Sequence, residues 1–385
     1  MKKKIIFFST PAFGHILAEY PIIKKLIDEG YNVDWYATEQ YRNIVEKSGA
    51  NFKIYKEKFD GIYNLANVTS NFYNLMDVLL KLNRQCFIDY IDEIEKEKVS
   101  LVLYDSMCSF AKNIAQKINV KSICLCSTFA YNFFTFTFSN MLIPSIKLIV
   151  KNLNELIKMI HIEKKFRKEN NIKKLNILDL FVNRGDITIV LTLKELQPFV
   201  KTFPKSFKFV GTTIKDKICI KKQEYSNDYD IYISLGSIFP ENSMLIEQIM
   251  NHDYFKNKRT IINTGKLNIN SNNKNIELVN YTDQLELLKK CKLFINHAGI
   301  NSIYDSISCG VPQMCIPQQE EQRMNAKIIS RKKIGYYMKN FDFDKIKKIQ
   351  NKIKAYNKNI NKYKNLINNT DGTKEAVRLI REAMK

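Results

Sequence analysis

The chain has 385 residues, 45% of them hydrophobic, and its 61 Lys and Arg against 39 Asp and Glu leave a formal net charge of +22. This length and apolar content exclude an intrinsically disordered chain and favour two domains of about 150–200 residues each. The sequence has 12 Gly and 8 Pro, too few for a collagen-like or low-complexity protein.

The excess of positive charge has two interpretations. A polyanion partner, either nucleic acid or an anionic membrane surface, would attract such a chain. The Lys residues are scattered along the whole sequence, however, and no basic stripe with interleaved aromatic residues stands out. We therefore favour compositional drift as the origin of the charge, and we expect no nucleic-acid partner.

The hydrophobic runs and the cysteines indicate the compartment. The longest apolar segment, residues 129–150, is broken by polar residues and is not the run of about 18 apolar residues that a membrane span needs. The first apolar run, residues 5–8, is too short for a signal peptide. No CxxC pair occurs among the eight cysteines, and Cys124 and Cys126 fit one face of a buried strand. We expect a cytoplasmic protein with reduced thiols; peripheral membrane contact stays open.

The first half of the chain alternates between strand and helix patterns. We predict strands at residues 4–9, 32–37, 52–55, 101–104, 122–126, 186–192 and 207–210. Helices are predicted at residues 15–30, 40–48, 76–98, 108–117 and 152–174. This order predicts an α/β fold, with a doubly wound parallel sheet in an N-terminal Rossmann-like domain of residues 1–210.

The alternation restarts after a Lys-rich stretch with little apolar periodicity, residues 211–229, which we interpret as an interdomain linker. Strands are predicted at residues 230–235, 260–263, 276–279, 293–296 and 313–316, with helices between them, one at 245–250, and an Asn-rich loop at 267–275. We predict a second Rossmann-like domain at residues 230–365. It is followed by a final helix at 366–385 that packs back on the first domain. Two such domains would face a cleft and bind ligands at the carboxyl ends of their strands.

A histidine and an aspartate follow two strands of the first predicted sheet. His15 opens a helix after the turn that ends in Gly14, and Asp105 comes directly after the strand at 101–104. In a parallel sheet both positions lie at the same edge, where a carboxylate can hold the tautomer of an imidazole and stabilise its charged form. His15 could otherwise serve only the turn, and Asp105 could be a helix N-cap. Together they favour an acid–base pair.

Residues 280–326 hold the densest set of polar and small residues. His297 ends a predicted strand, and Gly299, Asn301 and Ser302 open the next helix, a setting that favours an anion. Asp305 lies about one turn further and could reach ribose hydroxyls. Glu321 and Gln322 follow another strand, where they could bind sugar hydroxyls or simply occupy the first turn of a helix.

This segment resembles the donor-binding signature of the inverting UDP-dependent glycosyltransferases of the GT-B fold, most of all the bacterial macrolide-type branch. The matching positions are Tyr281, Gln284, His297, Gly299, Asn301, Ser302, Asp305, Glu321, Gln322, Asn325 and Ala326. Residues 11–15, residues 209–211 and the pair Gly236 and Ser237 are similar to other segments of the family. Three departures stand out: Tyr281 replaces a Trp or Phe, Asp305 a Glu, and Asp283 a Pro.

The resemblance implies a hexosyltransferase that inverts the anomeric carbon of a UDP-sugar, with UDP-glucose favoured. His15 would act as general base, assisted by Asp105. The helix start at residues 299–302, with His297, Gly236 and Ser237, would stabilise the leaving UDP, so that neither a metal nor a further cofactor is needed. Tyr281 would stack on the base, Gln284 would contact the uridine, and Glu321 and Gln322 would hold the sugar.

The acceptor is expected to be a small hydrophobic molecule with a hydroxyl group. The aromatic run at residues 129–138, with Met141, could line its pocket or be plain core. Two other functions stay open: a lipid or cell-envelope glycosyltransferase that uses the basic residues 147–174 on a membrane, and a catalytically silent nucleotide-sugar-binding partner. The presence of both His15 and Asp105 argues against the silent partner, and the sequence carries no signal for an oligomeric state.

Overall fold

The computed structural model describes residues 3–56, 72–138, 147, 150, 152–173, 184–219, 221–236, 242–265, 267, 269–339, 341–342, 345–346, 348–349 and 355–385. The chain divides into two compact units. The first unit is Met1–Ile218 with Asp371–Lys385, and the second is Cys219–Thr370. The division after Ile218 falls inside the stretch 211–229 that the sequence marks as a linker.

The first unit contains a parallel sheet in which seven strands are described, in the order β3-β2-β1-β4-β5-β6-β7. The strands are β1 Lys4–Phe8, β2 Asn32–Ala37, β3 Asn51–Ile54, β4 Val99–Asp105, β5 Ser122–Cys126, β6 Ile187–Val190 and β7 Phe207–Phe209. The helices are α1 Phe13–Asp28, α2 Arg42–Ser48, α3 Phe72–Ile94, α4 Phe110–Lys117, α5 Phe133–Phe138 and α6 Leu153–Glu169. Short 3₁₀ turns cover Glu39–Tyr41, Val200–Thr202 and Ile214–Asp216.

The centre of this sheet shows why the apolar runs fold as strands. Ile5, Ile6, Phe7 and Phe8 of β1 have no exposed surface, and β1 lies between β2 and β4. Strands of a parallel sheet are covered on both faces, so continuous apolar runs are stable there although they do not alternate. Because the strands are parallel, the residues that follow β1, β4 and β5 come together at one edge.

The second unit contains a parallel sheet in which six strands are described, in the order β10-β9-β8-β11-β12-β13. The strands are β8 Ile231–Ser234, β9 Thr260–Asn263, β10 Ile276–Val279, β11 Phe294–Asn296, β12 Gln313–Cys315 and β13 Tyr336–Tyr337. The helices are α7 Asn242–Asn251, α8 Asp253–Lys256, α9 Gln284–Leu288, α10 Ile300–Cys309, α11 Glu320–Arg331 and α12 Asn357–Asn369.

The last helix, α13 Gly372–Ala383, packs against α1 and belongs to the first unit. The sequence predicted one helix over residues 366–385, whereas the structure has α12 and α13 with a break at Thr370. The break has a local cause, since the Asp371 side chain accepts a hydrogen bond from the Lys374 backbone N–H and so caps a new helix. Gly372 fits closely there, because an added Cβ would lie 2.6 Å from the Thr212 carbonyl oxygen.

The predicted α/β class with two doubly wound parallel sheets is confirmed, and most predicted strand ends agree within one or two residues. Strand β13, which is only two residues long, was missed. All eight cysteines are free thiols; Cys124 and Cys126 are buried as predicted, while Cys219 is exposed. Across the described ranges, no helix combines the length and the apolar character that crossing a bilayer requires.

Candidate active site

His15 and Asp105 form a hydrogen-bonded pair in the first unit. His15 lies in the first turn of α1, directly after the turn that leaves β1, and Asp105 is the last residue of β4. The His15 Nδ1 atom lies 2.7 Å from Asp105 Oδ2. Because the carboxylate accepts, Nδ1 carries the proton and Nε2 carries the lone pair of the neutral ring. The His15 side chain is 21% exposed and that of Asp105 is fully buried.

The surroundings of Asp105 hold it in its ionised form. Its Oδ1 accepts hydrogen bonds from the Thr10 hydroxyl at 2.5 Å and from the Met107 backbone N–H at 2.8 Å. Burial by itself raises the pKa of this carboxyl, but the charge and hydrogen bond of His15, with smaller contributions from Glu19 and Thr10, lower it to about 2. A carboxylate fixed in this way orients the imidazole and stabilises its protonated form.

Two further residues beside His15 and Asp105 were not predicted from the sequence. The Ser127 hydroxyl, just after β5, lies 2.9 Å from His15 Nδ1, and the rule that parallel strands end at one edge could have found it. Glu19 lies one turn after His15 on α1, completely buried. Nitrogen and oxygen atoms of His15, Glu19 and Asp105 all lie within 4.8 Å of one another, which is also close enough to hold a cation. Asp105 already accepts three hydrogen bonds from protein donors, namely His15, Thr10 and the Met107 backbone.

The aromatic run at residues 129–138, predicted to line an acceptor pocket or to be core, is partly buried and partly exposed. Phe129 is completely buried, whereas Phe133 and Phe134 of α5 are 64% and 47% exposed. The Phe134 ring lies 6.0 Å from that of Phe199, which is also largely exposed. Phe199 has a left-handed backbone conformation, with φ of 51°. Met141 lies outside the described residues.

In the second unit, the His297 ring lies between two glycines. An added Cβ would lie 3.3 Å from the His297 ring at Gly236 and 2.7 Å from His297 Nε2 at Gly299. The His297 Nδ1 atom lies 3.5 Å from the Ser234 carbonyl oxygen at the end of β8. Burial lowers the pKa of His297, and this carbonyl contact opposes the shift. The space that the His297 ring occupies therefore explains why the motif has glycine at positions 236 and 299. Ser237 lies outside the described residues.

The chain turns sharply between His297 and helix α10. Ala298 has a positive φ of 66°, and its backbone N–H donates to Asn296 Oδ1 at 2.7 Å. Gly299 is the N-cap of α10 and has no side chain with which to cap this helix start. The first turn, which includes Asn301 and Ser302, therefore provides backbone N–H groups and the positive end of the helix dipole.

Gln284 and Asp305, both predicted to contact the donor, lie together. The Gln284 Nε2 atom donates to Asp305 Oδ2 at 2.6 Å and to the Ser302 hydroxyl at 3.4 Å. Asp305 is completely buried, and Gln284 is half-buried. This contact links the start of α9 to α10, so part of the hydrogen-bonding capacity of both side chains serves the fold of the unit itself.

Two of the departures from the family pattern lie beside α9. Tyr281 is half-buried, and burial raises the pKa of its hydroxyl. Asp283, where the family has Pro, is the N-cap of α9, and its side chain accepts from the Glu286 backbone N–H at 3.4 Å. Its own backbone N–H donates to Gln223 Oε1 at 2.9 Å, a bond that proline cannot make. The departure is thus matched by local hydrogen bonds.

Glu321 and Gln322 both lie in the first turn of α11. Gln322 Oε1 accepts from the backbone N–H groups of Gln318 at 2.8 Å and Gln319 at 3.2 Å, as part of a capping box. The Asn325 Nδ2 atom donates to the Ala298 carbonyl at 3.0 Å and lies 3.4 Å from Glu321 Oε1. The alternative prediction, that these residues simply occupy the first turn of a helix, is therefore supported for Gln322 by its capping hydrogen bonds.

Comparisons with known proteins agree with this architecture. Residues 241–382 match the model of the glycosyltransferase family 28 C-terminal domain. The chain is 27% identical to the NDP-glycosyltransferase YjiC of Bacillus licheniformis, over 87% of this chain and 85% of that protein. It is 23% identical to the uncharacterized UDP-glucosyltransferase YojK of Bacillus subtilis, over 99% of this chain and 97% of the relative.

Solved structures show the same fold. The glycosyltransferase of kitacinnamycin superposes with a TM-score of 0.83 at 18% identity, over 100% of both chains. The spinosyn rhamnosyltransferase SpnG complexed with thymidine diphosphate has a TM-score of 0.70 at 12% identity, over 99% of this chain and all of the other. Taken with the two parallel-sheet units, these matches show that the chain has the GT-B fold, and they support a glycosyltransferase that uses a nucleotide-sugar donor.

Proposed function

We propose that the protein transfers a hexose from a UDP-sugar, with UDP-glucose the favoured donor, to a hydroxyl of a small hydrophobic acceptor, with inversion and without a metal. The observation that supports this proposal most is the His15–Asp105 hydrogen bond of 2.7 Å at the strand edge of the first unit. A neutral imidazole whose Nδ1–H is held by a buried carboxylate has its basic nitrogen at Nε2.

In the proposed reaction, the acceptor oxygen attacks the anomeric carbon of the sugar. A bond from that oxygen to the anomeric carbon forms while the bond from the carbon to the phosphate oxygen breaks. The acceptor proton passes to His15 Nε2, and Asp105, anionic because of its depressed pKa, stabilises the imidazolium that results. Such a base contributes about 10²–10⁴-fold to the rate.

The leaving nucleoside diphosphate requires stabilisation of its growing negative charge. The first turn of α10, at Gly299, Asn301 and Ser302, offers backbone N–H groups and the positive end of a helix. His297, which lies beside Gly236 and Gly299, is a further expected contact of the diphosphate, together with Ser237. These groups support a metal-free departure of UDP, in which preorganised donors act in place of a cation.

The remaining donor contacts follow from the positions of the side chains. Tyr281 stacks on the uracil, Gln284 and Asp305 contact the uridine, and Glu321 and Gln322 hold hydroxyls of the sugar. Because the Gln322 oxygen already accepts two backbone hydrogen bonds, its amide nitrogen is the group that we assign to the sugar. The exposed rings of Phe133, Phe134 and Phe199 support a hydrophobic acceptor, since exposed aromatic groups bind apolar molecules.

A nucleotide-release assay tests the proposal. Purified protein is offered UDP-glucose, UDP-N-acetylglucosamine, UDP-galactose and a TDP-deoxysugar, each with phenolic acceptors, with and without EDTA. We expect turnover with UDP-glucose that EDTA does not change, and a loss of about 10²–10⁴-fold in kcat for His15→Ala with UDP affinity retained. The matched control is His161→Ala, which changes an exposed histidine of the same unit. Full activity of His15→Ala, or loss of activity in EDTA, would contradict the mechanism.

A lipid acceptor at a membrane surface is the second candidate, because α6 exposes apolar and basic side chains together. Leu153 and Ile157 are 50% and 56% exposed and lie four residues apart, on one face of the helix. The exposed lysines of the same helix are Lys158, Lys164, Lys165 and Lys168. This combination favours an anionic lipid surface.

Sedimentation with phosphatidylserine vesicles separates the two candidates. Binding that falls with salt and is lost in Leu153→Ser/Ile157→Ser supports a membrane acceptor, because the variant removes the apolar contact from α6. Ile88→Ser, which changes a residue 53% exposed on α3, is the matched control. Absence of vesicle binding, with turnover of small acceptors, contradicts this second candidate.

A further inference from the structure

Glu19 is a buried acid whose carboxyl oxygens receive no hydrogen bond from the part of the chain that the structure describes. It lies four residues after His15 on α1, so both side chains point from the same face of the helix. Its exposure is zero, and among the described residues no hydrogen-bond donor reaches either of its carboxyl oxygens. A Glu19 oxygen lies within 4.8 Å of an Asp105 oxygen, so the two carboxyl groups are neighbours, and a hydrogen bond between them requires a proton on one of them.

The distribution of donors decides which of the two acids carries that proton. Asp105 accepts from Thr10, Met107 and His15, and each of these bonds stabilises its anionic form. Glu19 has no such donor, so an anion at this buried position would be neither solvated nor paired. Two adjacent buried carboxylates would also repel each other. The proton therefore belongs to Glu19.

We propose that Glu19 is a positioning residue of the His15–Asp105 pair: a neutral carboxylic acid that donates a hydrogen bond to Asp105. It acts on the reaction only through Asp105. The acid supplies a fourth donor to the Asp105 carboxylate, which fixes the rotation of that carboxylate and leaves a single negative charge opposite His15. The role in catalysis rests on the proposed function of His15 as a base; the protonation of Glu19 does not.

Other groups around Glu19 are consistent with a neutral side chain. The titratable groups that face it are Asp105 and His15, with the buried thiols of Cys108 and Cys124. Burial raises the pKa of both thiols well above the ordinary value, so they remain neutral. Burial, followed by the charge of Asp105 and the hydrogen bond to it, raises the pKa of Glu19 well above its ordinary value.

The variant Glu19→Gln tests the proposal, because glutamine copies a protonated glutamate in shape and in its ability to donate. We expect Glu19→Gln to keep kcat within about threefold of wild type, since the hydrogen bond to Asp105 survives. Glu19→Ala removes that donor, and we expect a loss of about tenfold in kcat with KM retained. Glu46→Gln, an exposed acid of the same unit, is the control. A lower pH for the acidic limb of kcat/KM in Glu19→Gln would indicate that an anion had been removed, and would overturn the proposal.

Two readouts need no turnover and therefore separate this inference from the proposed function. A carboxyl whose pKa is raised in the folded state loses stability as the pH rises, because the unfolded chain releases its proton first. From about pH 4.5 up to the pKa of folded Glu19, this group raises the unfolding equilibrium constant tenfold per pH unit, and Glu19→Gln removes that contribution. We expect the stability gain of Glu19→Gln over wild type to grow with pH across this window and to vanish below it.

The second readout is the C=O stretching band of a protonated carboxyl group in the infrared spectrum at neutral pH. We expect the band in wild type and in Glu46→Gln, and its absence in Glu19→Gln. A missing band in wild type would overturn the inference. So would calorimetric binding of Mg²⁺ or Zn²⁺ that Glu19→Gln abolishes, because a cation would then occupy the position assigned to the proton.

Discussion

At the scale of single residues, the candidate site depends on side chains that are distant in the sequence and adjacent in space. His15 and Asp105 are 90 positions apart, and Ser127 lies 112 positions from His15. The strand edge brings them together, and local hydrogen bonds from Thr10 and Met107 then fix the carboxylate. In the second unit, the His297 ring occupies the space that a side chain at Gly236 or Gly299 would need.

Asp105 makes the stability of the protein depend on pH in the acidic range. Its pKa is about 2 in the folded state against an ordinary value of 3.8, so the carboxylate stabilises the fold by about 2 kcal/mol above pH 4. This contribution is lost as the pH falls from about 4 through 2. We expect chemical denaturation at pH 6 and pH 3 to show a stability difference between wild type and Asp105→Asn that shrinks at the lower pH. An equal difference at both pH values would contradict this. Asp28→Asn, an exposed acid, is the control.

The contact between Gly299 and His297 predicts a specific coupling. The backbone of Gly299 (φ −61°, ψ 138°) suits any residue, so the obstacle to a side chain is the His297 ring at 2.7 Å. We expect Gly299→Ala to displace the ring and weaken UDP binding about tenfold in calorimetry, whereas the same change in a His297→Ala background has little effect. Additive effects of the two substitutions would show that the ring is not the obstacle.

At the scale of secondary-structure elements, a buried ionic network attaches α6 to its neighbours. Glu163 of α6 accepts from Arg167 Nε at 3.0 Å and lies 3.5 Å from the guanidinium of Arg84 on α3. Arg167 also donates to Asn113 of α4 at 2.8 Å and to the Lys173 carbonyl at 3.0 Å. A charged helix pattern at residues 152–174 was visible in the sequence, but the burial of one of its ion pairs was not.

Loss of Glu163 would leave the buried guanidinium of Arg167 without its anion. We expect Glu163→Ala to lower the free energy of unfolding by about 3–5 kcal/mol, because an uncompensated buried charge is costly. Glu169→Ala on the same helix is the matched control, since Glu169 and Lys165 form an exposed pair at 3.8 Å that contributes less than about 1 kcal/mol. Equal effects of the two substitutions in urea denaturation would rule out this interpretation.

At the scale of the whole molecule, the chain leaves the first unit after Ile218 and returns to it at Asp371. The returning helix α13 packs on α1, the helix that carries His15 and Glu19. The last residues of the chain therefore support the candidate base, although they are far from it in sequence. Substitutions in α13 affect the first unit directly.

Ile380 provides a test of this connection. It is completely buried on α13, and Ile380→Ala is expected to cost about 2–5 kcal/mol of stability through the lost apolar contact and the cavity that remains. Thermal unfolding of the full chain followed by the fluorescence of Trp35, a buried residue of the first unit, measures the loss. UDP binding at low temperature should persist, because the residues proposed to bind the donor belong to the second unit. Lys385→Ala, at the exposed end of the chain, is the control.

Local patterns in the sequence were sufficient for the described strands other than β13, for most helices and for the two parallel sheets. Apolar runs of four to six residues bounded by Gly or polar residues have few alternatives to a buried parallel strand, so β1, β4, β5 and β11 could be predicted together with the polar residues that follow them. The motif residues His297, Gly299 and Gln284 could also be recognised from the sequence, because the motif is defined by their spacing along the chain.

Contacts between distant elements were decided only in the folded chain. Glu19 has an ordinary helical position in the sequence, and only the folded first unit, which brings α1 to Asp105 at the end of β4, makes it a buried acid beside that residue. Gln322 has the same sequence context whether it binds a sugar or caps its own helix, and the backbone N–H groups of Gln318 and Gln319 settle how its oxygen is used. Burial and hydrogen-bond partners depend on elements that are not neighbours in sequence, and for this reason periodicity and spacing do not determine them.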